Sequence, residues 1–262
     1  MSRLTTIAAL TGLICLCAVP MAMAQVTGGV VPPQGAGLPA LEAFLPEAGG
    51  SLAQRSIQLM ILITLLSLVP GIAVTITCFP FIVTVLSILR QAIGLQQSPP
   101  NMLIISLALF LSWYVMEPVL TEAWTTGAAP YVAGDIPLEE AALRTLDPFR
   151  LFMAARVDAD TFATLADLRP ATAGQAPDAT APLSLLVPSF LLSEISRAFQ
   201  VGFLIFLPFL IIDLVVSAIL MSMGMMMVPP AAIALPFKLA FFVIADGWSL
   251  VAASLVQGYA TG

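Results

Sequence analysis

Met221-Ser-Met-Gly-Met-Met-Met-Val-Pro-Pro230 separates two long apolar runs, each of which carries charged residues. Such a stretch cannot be an ordinary helix interior. Gly224 adds backbone freedom, and Pro229-Pro230 stop the preceding helix and preset the start of the next. Gly224, Pro229 and Pro230 are therefore the expected hinge of a turn. Met225, Met226 and Met227 place three flexible thioethers at that break, where they fit either a soft apolar plug or a hydrophobic helix end set in lipid.

The apolar run before the turn, Val201 to Met227, holds Pro208 and Asp213, and the run after it, Ala231 to Val256, holds Pro236, Lys238 and Asp246. An ionised side chain facing lipid costs on the order of 3 kcal/mol or more. These charges must therefore pair inside protein or line something wet. In a hairpin closed at the methionine turn, Asp213 and Lys238 come within a few turns of each other, and an ion pair at a packing or subunit interface is the expected outcome. A proton relay is the functional alternative. Upstream, Glu194 and Arg197 stand three residues apart and pair on one helix face. Asp246-Gly247-Trp248 has the wrong order for the Gly-Asp motif of intramembrane aspartyl proteases, and no matching second acid stands in a helix.

Composition sets the class. The chain has 262 residues, 60% of them hydrophobic and only 9% charged, against about 25% charged in a soluble domain. An all-α integral membrane protein is expected. A net charge of −6 leaves no basic surface for nucleic acid, and the absence of His excludes imidazole catalysis and histidine metal ligation. No nucleophile–base pair, metal cluster or phosphate loop is present, so neither an enzyme nor a cofactor is expected.

Residues 1–24 read as a signal peptide: Arg3, an apolar stretch from Ile7 to Val19, then Ala22-Met23-Ala24 before Gln25. Ile14 and Leu16 before Cys15 and Cys17 disfavour lipidation. Removal of the signal leaves Cys78 alone, so no intrachain disulfide is available. Residues 25–54 form a flexible exported leader rich in Gly, Pro and Ala.

Residues 55–124 form a first membrane-associated hairpin. Its apolar run from Ser56 to Leu89 contains Pro70-Gly71 and Pro80, which predicts a kinked or broken helix. The recurring Thr64, Ser67, Thr75, Thr77, Thr84 and Ser87 suit helix–helix contact. The loop from Arg90 to Asn101 is the expected cytoplasmic turn. The run from Met102 to Met116 is short for a crossing and must continue through Trp124 or be shielded. Residues 125–182 are an acidic helical insert, with one helix from Pro137 to Leu146 and an amphipathic segment from Phe149 to Leu168 offering Phe152, Phe162 and Leu165 to a core. The acid excess and the signal peptide place it in the periplasm. Residues 183–262 form the second hairpin, so two kinked hairpins flank the insert.

Phe206-Leu-Pro-Phe-Leu-Ile-Ile-Asp213-Leu-Val, Met223-Gly-Met-Met-Met-Val-Pro-Pro-Ala-Ala-Ile-Ala-Leu-Pro-Phe-Lys238 and Asp246-Gly-Trp248 resemble segments of the flagellar biosynthesis protein FliP family, the membrane export gate of type III secretion. Ser98-Pro-Pro-Asn101, Leu89-Arg-Gln-Ala-Ile-Gly94, Leu107-Ala-Leu-Phe-Leu111, and Ser193-Glu194 leading to Ala198-Phe-Gln-Val-Gly-Phe203 extend the resemblance from about residue 55 onward. It departs at Cys78-Phe-Pro80-Phe81, where the family commonly carries Thr-Arg, and at Glu117, where a small residue is usual.

The resemblance implies several copies of the chain joining FliQ-like and FliR-like subunits, and other membrane proteins of the export apparatus, in a helical channel at the flagellar basal body. Unfolded proteins pass through it across the inner membrane. In that setting Met225, Met226 and Met227 are pore gasket residues, and Glu194, Arg197, Asp213, Lys238 and Asp246 are candidates for ion pairs within or between subunits. The injectisome counterpart shares these motifs, and an ion-coupled small-molecule transporter using Asp213 and Asp246 is the alternative from another class.

Overall fold

The structure is a computed structural model that describes residues 52–95, 98–225 and 227–260. The expected signal peptide, the leader up to residue 51 and Met226 lie outside the described residues. Every regular element described is helical. The chain divides into two compact units, Met1–Ile72 and Ala73–Gly262. Of the first, the described part is the body of helix α1 (Leu52–Thr75).

The second unit continues with α2 (Phe79–Ile93), α3 (Asn101–Ala123), a π-helical turn (Trp124–Ala128) and the short α4 (Ala129–Ala133). Next come α5 (Leu138–Arg156) and α6 (Ala159–Asp167), then α7 (Leu183–Ser222), α8 (Pro230–Ile244) and α9 (Gly247–Ala260). The helix expected to break within Ser56–Leu89 does so between Thr75 and Phe79, not at Pro70-Gly71, which stays inside α1. Pro80, two residues into α2, occupies a first-turn position where its missing N–H is not needed.

The run that began at Met102 does continue. Asn101–Ala133 is apolar and 33 residues long, and Leu183–Ser222 is 40 residues long, so both are long enough to cross a membrane. They make the chain an integral membrane protein. At 1.5 Å per residue α7 is about 60 Å long, roughly twice the hydrocarbon thickness. Its N-terminal half packs against α5 and α6 of the acidic insert.

Met153, Phe162 and Ala166 of the insert share a core with Ile76 and with Leu185, Leu186 and Phe190 of α7, and Phe152 and Leu165 pack against it. The expected division of the insert differs in one respect, because α5 runs through Pro148 to Arg156. A proline inside a helix frees the carbonyl four residues earlier. Here that is the Arg144 carbonyl, which shares the Thr126 hydroxyl, at 3.3 Å, with the nearer Glu122 carbonyl at 2.8 Å. The helix resumes at α6 with Asp158 as its N-cap, whose carboxylate accepts from the Thr161 N–H at 2.9 Å.

The main core forms around α2, whose Phe81, Ile82, Val85, Leu86 and Leu89 bury one face at helical spacing against α3, α7 and α9. Gly202 of α7 lets the backbone approach Ile88, whose Cβ would lie 3.3 Å from an added methyl. The hydroxyls expected to bridge helices mostly bond their own backbone: Thr84 donates to the Pro80 carbonyl at 2.7 Å and Ser87 to that of Val83 at 2.6 Å. Across helices, Ser112 of α3 donates to Thr77 Oγ1 at 3.5 Å and accepts from Cys78 Sγ at 3.3 Å.

Candidate functional site

The methionine turn is built by helix-termination chemistry. Gly224 at φ 74° takes the left-handed conformation that glycine adopts without a Cβ penalty. Its N–H donates to the Met221 carbonyl at 3.0 Å, and that of Met225 donates to Leu220 at 3.0 Å. These two bonds are the Schellman closure of α7. Pro229 then caps α8 in extended conformation and Pro230 opens it. Gly224, Pro229 and Pro230 therefore stand at the two mouths of the turn. Met223, Met225 and Met227 are exposed on it, Met227 at 98%. Met226 lies outside the described residues.

Behind the turn a polar clamp joins three helices. Lys238 Nζ of α8 donates to Asp213 Oδ2 of α7 at 2.6 Å and to the Ala92 carbonyl in the last turn of α2 at 3.0 Å. Lys238 is buried, whereas the Asp213 side chain keeps 34% of its surface. The other carboxylate oxygen, Oδ1, is itself buried and has no hydrogen-bond partner among the described residues. The carbonyls of a helix C-terminus attract a cation, so the end of α2 adds to the hold on Lys238. Between turn and clamp, Val216, Leu220 and Ala234 form a small apolar cluster of their own.

The second polar centre lies where the insert meets the apolar core. Glu194 is fully buried. Its expected partner Arg197 stands at 3.8 Å and is 39% exposed, while Arg156 Nε at the end of α5 lies closer, at 3.3 Å, and is buried. Tyr259 of α9 donates its hydroxyl to Glu194 Oε2. The Arg156 guanidinium stacks 3.8 Å over the Tyr259 ring and also donates to the Gly258 carbonyl at 3.2 Å. Phe81 meets the same ring edge-on at 5.4 Å, and Phe152 stacks at 6.2 Å. Phe81 and Phe152 thus pack aromatic carbon around a tyrosine ring that also carries a guanidinium supplied from α5.

Sequence reasoning missed Arg156 and Tyr259. Arg156 looked like one of several solvated insert charges. The one available signal for Tyr259 was a hydroxyl late in an apolar run, since a buried tyrosine needs a partner. Asp246 is exposed at the junction of α8 and α9 with φ 47°, and it forms none of the ion pairs found among the described residues. The five candidate charges therefore fall into two separate centres plus one isolated acid.

The methionine turn is exposed and apolar, and the helices on either side of it are joined by the Asp213–Lys238 pair. A model of the FliP family matches residues 62–255. The flagellar biosynthetic protein FliP of Caulobacter vibrioides is 49% identical over 218 residues, which span 82% of this chain and 80% of that protein. The protein of the same name from Agrobacterium fabrum is 44% identical, over 83% of this chain and 89% of its own length. That of Bacillus subtilis is 42% identical, over 78% and 92%. The matched region takes in the clamp, the methionine turn and all of the insert, and the chain belongs to the FliP family.

Proposed function

We propose that the chain is a channel-forming subunit of flagellar type III protein export, an inner-membrane protein that conducts unfolded flagellar proteins, with Met225, Met226 and Met227 sealing the pore. The observation that carries this reading is an exposed methionine turn whose flanking helices are tied together by Asp213 and Lys238. A thioether side chain excludes water and ions yet repacks around any passing side chain. A rigid clamp behind a soft tip confines that deformation to the tip.

Several copies of the chain, with FliQ-like and FliR-like subunits, complete the channel wall. Exposed apolar residues along α7, such as Phe199, Phe203, Ile211 and Leu214, are covered by those neighbours and by lipid. Arg197, Asp246 and the open side of Asp213 supply contacts between subunits. Residues 1–24 direct the N-terminus outward before removal, and the insert lies in the periplasm beside the N-terminal half of α7. The flagellar names of the relatives support flagellar export over the injectisome.

Native mass measurement after extraction in mild detergent tests this reading. A large complex with several copies of the chain is expected. A monomer or dimer that is active without partner subunits supports the ion-coupled transporter instead and overturns the channel.

A further inference from the structure

We propose that the methionine turn is a redox-modification site, whose thioethers a peroxide converts to sulfoxides that break the seal. Met221, Met223, Met225 and Met227 are all exposed at or beside the turn, Met221 and Met223 each at 67%, whereas Met116 and Met153 keep 1% of their surface. Met60 and Met102 are exposed as well, but each stands apart from other methionines. Cys78 is a fully buried thiol, shut off from an oxidant in solution. Oxidation of methionine follows exposure, so the turn is where an oxidant finds sulfur concentrated. In the reaction the sulfur attacks one peroxide oxygen, the O–O bond breaks and an S–O bond forms. Sulfur gives up an electron pair, and the proton of the transferred oxygen passes to the other oxygen, which leaves as water.

The surroundings of the turn make that change consequential. A sulfoxide is polar and accepts hydrogen bonds, whereas a thioether holds water weakly. Between Asp213 and Lys238 the side-chain donors in the sequence are Ser217 and Ser222, and the Ser222 hydroxyl already donates to the Ile219 carbonyl at 2.7 Å. Behind the turn Val216, Leu220 and Ala234 cluster with Ile212 and Ile233. Beside them a groove of about 390 Å³ between α7 and α8 is walled by apolar side chains such as Ile211, Val215, Ile219 and Phe237. A sulfoxide oxygen on the turn therefore takes its hydrogen bonds from water, since a polar group left without a partner is costly. Water is thus recruited to the tip that must stay dry. The Asp213–Lys238 pair contains no sulfur, so the hairpin stays closed while its tip becomes polar. Loss of the seal rests on the channel reading proposed above, but the oxidation itself does not.

Hydrogen peroxide, applied to membranes that hold the complete native complex, tests the proposal, with peptide mass and leak of small ions as the two readouts. Met223 and Met227 are expected to gain oxygen roughly tenfold faster than Met116 and Met153, and leak to rise with sulfoxide content. With Met221, Met223, Met225, Met226 and Met227 changed to leucine, the rise should vanish when each treated sample is compared with the same variant untreated, although Met60 and Met102 still oxidise. Turn methionines that oxidise no faster than the buried pair overturn the proposal. So does a peroxide-induced rise that persists in the leucine variant. Should that variant not assemble, Met223→Leu with Met227→Leu is read in the same way, and an undiminished rise overturns the proposal. Full oxidation of the turn without leak, in a complex whose glycine replacement at Met225, Met226 and Met227 does leak, overturns the proposal and leaves the channel reading standing. A glycine replacement that does not leak overturns the channel reading, while the peptide masses still decide where the oxygen goes.

Discussion

Replacing Arg156 by alanine strands the Glu194 carboxylate, which is fully buried, with only the Tyr259 hydroxyl and the more distant, half-exposed Arg197. Removing one partner of a buried ion pair costs about 3–5 kcal/mol, mostly as the desolvation penalty of the charge left behind. The lost stacking on Tyr259 adds up to about 2 kcal/mol in a water-excluded site. Arg197 is exposed at 3.8 Å, so Arg197→Ala costs about 1 kcal/mol or less. Tyr259→Phe keeps the ring and removes one hydrogen bond to a charged acceptor, about 1.5–3 kcal/mol. The triple replacement Arg156→Met, Glu194→Met, Tyr259→Phe removes the charges and the hydroxyl together, so it is expected to recover most of the loss. Apparent melting in detergent measures the series. Arg156→Ala should fall by roughly 10 °C, since about 1 kcal/mol corresponds to 2–4 °C at this size. A melting point within about 2 °C of wild type, or a triple variant no better than Arg156→Ala, refutes the reasoning.

Lys238→Met leaves Asp213 unpaired and the Ala92 carbonyl without its cation. The cost is about 1–3 kcal/mol, below that at Glu194 because Asp213 is a third exposed, and Asp213→Asn in the same chain is expected to restore part of it in a melting series. Gly127→Ala forces a Cβ to 2.6 Å from the Thr145 nitrogen and 2.8 Å from the Ala141 carbonyl oxygen, backbone atoms that cannot swing away. It is expected to destabilise by about 1–3 kcal/mol, whereas Gly258→Ala, where a Cβ meets nothing within 4 Å, is tolerated in the same assay. The Thr161 backbone N–H, followed by the Thr161 hydroxyl, holds the Asp158 carboxyl below its usual value. A depressed folded-state pKa gives stability that is present above the unfolded value, near 3.9, and is lost as pH falls through the folded one. Protection of the α6 amides against hydrogen exchange should therefore weaken on acidification below about pH 4, and Asp158→Ala should weaken it at neutral pH as well.

Much of this was legible in order along the chain. Gly224 and Pro229-Pro230 fixed the turn because left-handed caps and proline starts are local rules. Asp213 and Lys238 found each other because a closed hairpin leaves two such charges little else to do. The Glu194 centre was only half legible. Its neighbour in sequence, Arg197, obscured Arg156, which lies 38 residues away and reaches Glu194 only because α5 ends against α7. Proline misled in both directions. Pro70 and Pro148 are absorbed within helices, and for Pro148 a threonine 22 residues upstream shares its hydroxyl with the freed carbonyl. The left-handed Asp246 was invisible too, since an acid in an apolar run announces charge before it announces backbone.

The central claim, that the methionine turn closes a protein-conducting channel, is tested most directly by ion conductance across the membrane of cells assembling the complete complex. With Met225, Met226 and Met227 all changed to glycine, leak of small ions should rise well above wild type while export of flagellar protein partly survives. An assembled complex with that replacement and an unchanged leak contradicts the account.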